Sequence, residues 1–213
     1  MRSTLPSLVL LCLVALGGCD PDGARAQSGT QAAPPLPEGM AEAVFAGGCF
    51  WCMEGPFEAL DGVASVESGY TGGHPQRPSY EDVGRGRTGH LEAVRGVSDP
   101  ARVSYERLLE VFWHNVDPTD DGGQFCDRGA TYRTAIFAVD AEQRRLAEAS
   151  LARVRATLRQ RVVTRILSAS TFWVAEAYHQ DFHRTNPARY QSYRLSCGRD
   201  RRLRELWGAA ASH

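Results

Sequence analysis

No lysine occurs among the 213 residues, so all 24 basic side chains are arginine. That absence carries no functional weight by itself. Other shortages exclude more. An excess of positive charge is missing: 24 basic residues against 25 acidic ones leave a formal net charge of −1. A dedicated nucleic-acid binder is normally basic overall, so no nucleic-acid partner is expected. Cysteine is scarce at six residues, too few for a small disulfide scaffold. With 43% hydrophobic and 23% charged residues and no internal repeat, the chain is neither collagen, coiled coil nor wholly disordered. No apolar run reaches the roughly 20 residues that a spanning helix needs.

What is present starts with an export pattern. Met1-Arg2 gives a short positive start, and the apolar run Leu8 to Leu16 has the length of a signal h-region. Leu16-Gly17-Gly18-Cys19 follows and looks like a bacterial lipoprotein box, so residues 1–18 read as a lipoprotein-type signal and Cys19 as the lipidation site. Cleavage after Ala26 at Ala24-Arg25-Ala26 is the competing reading, but that site lies far from the apolar run. Cys12 is lost either way. Residues 19–40 are rich in Pro, Gly, Ala and small polar residues, with little to bury, and read as a flexible tether. The expected location is the bacterial cell envelope or periplasm, with the membrane held through lipid alone.

Residues 41–213 suit one domain with a real core. Its charge is polarised: residues 41–127 hold 6 Arg and 15 acids, and residues 128–213 hold 16 Arg and 7 acids. Two halves of one fold complementing each other explain this better than a basic tail for an anionic partner. The fold class is α/β (α+β): a single-domain mixed β-sheet flanked by helices. Strands are expected at 43–46, 62–70, 91–97 and 134–139, and a hairpin from 162–168 and 171–176. Ser104 and Asp140 are candidate helix N-caps, the latter with Gln143 in a capping box and a buried stripe of Ala147, Leu151, Val154 and Leu158. Shorter helices are expected at 178–184 and 200–207.

Chemistry concentrates in Gly47-Gly48-Cys49-Phe50-Trp51-Cys52. A cysteine at a strand-to-helix turn meets unpaired backbone N–H groups, which favour thiolate and lower its pKa. A second cysteine three residues on shares that helix face and can resolve an oxidised sulfur as a disulfide. Phe50 and Trp51 supply an apolar cup for a small alkyl-sulfur group, or else ordinary core packing.

These residues, with GYTGGHPQRPSYEDV, GRTGHLEAV, FWHNVDPTD, DRGATYRTAIF and AYHQDFHRTNP in order, resemble the A-type peptide-methionine (S)-S-oxide reductases across residues 43–190. The resemblance implies a repair enzyme for methionine S-sulfoxide, free or in peptides and proteins, working as a monomer without cofactor or metal. Cys49 matches the nucleophile and Glu92 the acid that protonates the sulfoxide oxygen, which leaves poorly as an anion. Tyr80 and Tyr132 match phenols that hydrogen-bond that oxygen, and Asp127 a carboxylate ordering the site. Phe50 and Trp51 match the walls of the methyl pocket. Thioredoxin or an exported relative would reduce the resulting disulfide. Many relatives have Gly at the position of Cys52 and resolving cysteines in a Gly-rich tail. Here the resolving thiol is therefore Cys52, favoured by local geometry, or Cys197 as its rival. Cys126 matches no catalytic position and can pair with Cys197 as a structural bridge.

Rival readings use the same residues. A thioredoxin-like oxidoreductase would need only the Cys49/Cys52 pair. Cys49, Cys52, Cys126 and Cys197 could bind structural zinc, though the last two lack paired spacing. His179 and His183 stand four apart as in a zinc protease, but Gln180 replaces the glutamate base, so a surface or capping role is expected.

Overall fold

The computed structural model describes residues 30–74 and 76–211. The signal segment 1–18 and the lipidation site Cys19 lie outside the described residues. The sheet begins with a two-residue strand β1 (Gln31–Ala32) and continues with β2 (Ala41–Ala46), followed by helix α1 (Trp51–Glu58). Then come β3 (Val63–Thr71), α2 (Tyr80–Gly84), β4 (Leu91–Ser98) and α3 (Tyr105–His114). A small ribbon, β5 (Gly123–Gln124) and β6 (Asp127–Arg128), precedes β7 (Ala135–Ala138) and the long α4 (Ala141–Leu158). The chain ends through β8 (Arg165–Ser168), β9 (Trp173–Val174), α5 (Phe182–Thr185), α6 (Pro187–Ser196) and α7 (Arg199–Trp207).

Seven strands form one mixed sheet in the order β1-β9-β3-β4-β2-β7-β8, antiparallel except for the β7/β8 pair. The expected mixed sheet flanked by helices is therefore the observed fold. Alternation along the strands sorts side chains onto two faces. Ala43 and Phe45 of β2 join the main core with Met53, Leu109, Phe112 and Leu151, while Val44 and Ala46 join a smaller cluster with Leu91, Ala93, Phe137 and Phe172. Phe45 anchors the larger face, with ring centroids 5.2 Å from Phe57 and 5.1 Å from Phe112. The α4 stripe of Ala147, Leu151, Val154 and Leu158 packs on that face as its spacing predicts. Both N-caps hold: Ser104 accepts from Arg107 N, and Asp140 accepts from Gln143 N at 2.7 Å.

Two expectations need correction. Residues 162–168 and 171–176 form no hairpin. Strand β8 lies parallel to β7 at one edge, while β9 sits between β1 and β3 near the other. Their Ala169-Ser170 link has no residue that readily takes the positive φ of a tight hairpin turn. The second correction concerns the tether. Thr30 is buried with its hydroxyl donating to Pro78 O, Gln31 and Ala32 pair with β9, and the buried Arg95 donates to Pro34 O. Strand pairing and these bonds offset the ordering cost that composition alone suggested could not be met, so residues 30–34 belong to the domain. Among the described residues no helix is long and apolar enough to cross a membrane.

Candidate active site

The turn after β2 depends on its glycines. Gly48 has φ +81°, and a Cβ there would stand 2.5 Å from Gln124 Cβ; one on Gly47 would stand 2.5 Å from Met53 Sδ. At Gly48 a side chain would meet both the positive φ and the stem of Gln124, so glycine is required there. Cys49 follows immediately, and the Cys52 amide donates to Cys49 O at 3.1 Å, folding the second thiol back toward the first. Both thiols are free and buried, at 6% and 1% exposure.

Cys49, Phe50, Trp51, Tyr80, Glu92, Asp127, Tyr132 and Tyr193 line a cavity of about 130 Å³. All of these except Tyr193 are residues singled out from sequence. Cys52 lies behind Cys49 rather than on the cavity wall. Glu92, the second residue of β4, is 2% exposed and accepts from Phe50 N at 3.2 Å. Burial pushes its carboxyl up to about 8, helped by the nearby Asp127 and Cys52, so the group is a neutral acid at neutral pH. Tyr80 opens α2, its amide donating to Glu176 Oε1 at 3.0 Å. Burial raises the Tyr80 phenol to about 12 and raises Tyr132 as well, so both remain hydrogen-bond donors. Asp127 is raised by burial but accepts from the Tyr193 hydroxyl and faces Arg199.

Trp51 is held on both edges. Its Nε1 donates to His179 Nδ1 at 3.0 Å and its ring stacks on Phe182 at 3.8 Å between centroids. Burial lowers His179 to about 4, so the neutral ring accepts that bond. The histidine pair is thus neither a metal site nor a surface feature. His179 is buried behind Trp51, and His183 lies 3.3 Å from Glu58 Oε2 and packs beside Glu54.

The Cys49 thiol is raised rather than lowered, against the helix-dipole expectation. Cys49 stands one residue before the Phe50 N-cap rather than inside α1. Burial, the hydrogen bond with Cys52 and the nearby Glu92 carboxylate raise it. Cys52 falls to about 7 because the Cys49 thiol hydrogen-bonds to it and Arg199 and Arg194 face it. The two buried thiols share a hydrogen bond and titrate as a coupled pair.

Cys126 and Cys197 form a disulfide. That leaves Cys52 as the free thiol beside Cys49, and it removes two of the four thiolates a zinc centre would need. The bridge joins residues 71 apart in sequence. Cys126→Ala is expected to lower folding stability by about 2–4 kcal/mol. Urea unfolding of the two proteins checks this, and identical midpoints would contradict it.

Tyr193 is the site residue the sequence reading missed. It lies on α6, where Asn186-Pro187 places proline at the helix start. Its hydroxyl reaches both Asp127 and the Cys49 sulfur.

Residues 41–211 match the family model described as peptide methionine sulfoxide reductase. The chain is 53% identical over 167 residues to peptide methionine sulfoxide reductase MsrA 2 of Caulobacter vibrioides, covering 78% of this chain and 85% of that protein. It is 51% identical over 168 residues to MsrA of Bacillus licheniformis, covering 78% and 93%. The crystal structure of Mxr1 from Saccharomyces cerevisiae in reduced form is similar with TM-score 0.68 at 25% identity, over 74% of this chain and 90% of that one.

Proposed function

Because the chain belongs to the peptide methionine sulfoxide reductase family, we propose that Cys49 attacks the sulfoxide sulfur while Glu92 protonates the departing oxygen. The enzyme reduces methionine S-sulfoxide to methionine and restores its own thiols with an external dithiol. The observation that supports these roles is one small cavity holding a sulfur nucleophile, a neutral carboxylic acid and two phenols over an apolar wall. Phe50 and Trp51 take the methyl group, and Tyr80 and Tyr132 donate to the oxygen as its charge develops. Asp127 and Tyr193 hold the sulfur side of the cavity.

The steps balance as follows. Cys49 attacks sulfur as its thiolate, while Glu92 gives its proton to oxygen. The S–O bond of the substrate is exchanged for one on Cys49, giving methionine and a sulfenic acid. Cys52 then displaces water from that sulfenic acid and closes a disulfide. A thioredoxin-like dithiol reduces it by exchange, taking up the oxidation as its own disulfide.

Separated sulfoxide epimers incubated with dithiothreitol test the activity: methionine is expected from the S epimer alone, and reduction of neither epimer would overturn the reading. For the resolving step, Cys52→Ser is expected to release about one methionine per enzyme and then stall when a thioredoxin is the reductant. Non-reducing peptide mapping of the wild type after one equivalent of substrate should find a Cys49–Cys52 bond; a stoichiometric Cys49–Cys197 bond would instead assign the step to Cys197.

The working place is the periplasmic side of the cell envelope, with lipid on Cys19 and the enzyme acting as a monomer. The apolar run at 8–16 followed by Gly-Gly-Cys supports this reading. Mass spectrometry of the mature N-terminus tests it: acylated Cys19 is expected, and a free N-terminus at Gln27 would contradict it.

A further inference from the structure

A second depression, of about 610 Å³, lies beside the catalytic cavity. Arg133, Arg155, Arg161 and Arg165 stand exposed along it, over a floor that includes Leu151 and Val162. Asp120 and Asp121 also line it. Arg128 engages the Asp120 carboxylate at 3.1 Å, and Arg133 Nε donates to the Asp121 backbone carbonyl at 2.6 Å. Among the described residues, the guanidinium groups of Arg155, Arg161 and Arg165 meet no carboxylate or other hydrogen-bond partner. Sequence explains why: residues 149–175 contain five arginines and no acid. Arg95, by contrast, meets Glu42 at 2.6 Å and Glu67 at 3.1 Å.

The groove and the catalytic cavity are joined by a short stretch of chain at one end of β7. Tyr132 lines the cavity, and the next two residues, Arg133 and Thr134, line the groove. Ala135 then pairs with Ala46, three residues before Cys49, and with Arg165 on the far side. An extended peptide advances about 3.3 Å per residue, so side chains about three to six positions from a bound methionine sulfoxide reach the arginines.

We propose that this groove is an extended substrate subsite for acidic residues, so that the enzyme selects oxidised methionines in acidic stretches of protein. The proposal rests on the sulfoxide reductase reading above and adds a substrate class to it. An anionic lipid surface fits less well. The groove is a depression rather than a protruding face, and the Asp120 and Asp121 that line it would repel an anionic bilayer.

The test compares peptides of about eleven residues carrying a central methionine S-sulfoxide and either two glutamates or two glutamines about three to six positions away on either side. With dithiothreitol as reductant, kcat/KM of the wild type is expected to favour the glutamate peptide about tenfold at low salt, and less at high salt. The preference should vanish in the triple variant Arg155→Glu/Arg161→Glu/Arg165→Glu and persist in the triple lysine variant. Equal kcat/KM for both peptides in an active wild-type enzyme overturns the groove proposal alone. So does a preference that survives the glutamate substitutions. A triple glutamate variant slowed only when thioredoxin replaces dithiothreitol, with no peptide preference lost, assigns the groove to the reductant and also overturns it. Failure of the wild type to reduce any sulfoxide, free methionine sulfoxide included, overturns the activity and the subsite together.

Discussion

Cys49→Ser is expected to lower kcat/KM for methionine S-sulfoxide by about 10⁴-fold or more, with no methionine formed even in a single turnover. A serine hydroxyl is far harder to ionise than a thiol, and it has no sulfenic acid or disulfide through which to take up the oxidation. Fold is not the cause, because one buried oxygen replaces one buried sulfur between Gly48 and Phe50 in a site where Tyr193 can hydrogen-bond either atom. Chromatographic quantitation of methionine from stoichiometric enzyme measures the effect. Multiple turnovers by the serine variant would remove Cys49 from the mechanism. The comparison with Cys52→Ser is informative, since that variant keeps the first chemical step and loses the later one.

Glu92→Gln should cost about 10²–10⁴-fold in kcat/KM, the range for loss of a positioned general acid. Glutamine keeps the size and can still accept from Phe50 N, but it has no proton of suitable acidity to give to oxygen. The pH dependence gives a second signature. A carboxyl raised to about 8 is protonated and competent below that pH and loses its proton above it. The wild-type kcat/KM should therefore fall about tenfold per pH unit on the alkaline side of about 8, and this limb should be absent from the residual activity of Glu92→Gln. An alkaline limb unchanged by the substitution would assign it to another group.

Much of this site was legible because its signals are local. Gly47-Gly48-Cys49 predicts a sharp turn, and the structure uses both glycines to pass Met53 and Gln124. The helical stripe of α4 and the caps at Ser104 and Asp140 follow from spacing and side-chain chemistry over a few residues. Partners that meet across the fold were less legible. The period of 2 in 162–168 and 171–176 identifies strands but not neighbours, and β8 and β9 pair far apart. Nothing near Tyr193 announces that α6 will carry it to Asp127, 66 residues earlier in the chain. The raised Cys49 thiol was hidden for a related reason. A helix start is visible in sequence, whereas burial of the sulfur and the approach of Glu92 depend on the assembled fold.

The strand that seats Gln31 and Ala32 at the sheet edge also sets a radius of action. With lipid on Cys19, the stretch up to the buried Thr30 is 11 residues (30 − 19), which spans at most about 36–40 Å whatever path it takes. Were residues 31–40 to add to that stretch, its maximum span would be nearly twice as long. Under that anchoring the docked strand would confine the enzyme to a thin shell above the bilayer, where its customers would be other surface-bound proteins and passing secreted chains. Its local concentration there would then be set by membrane area rather than by compartment volume.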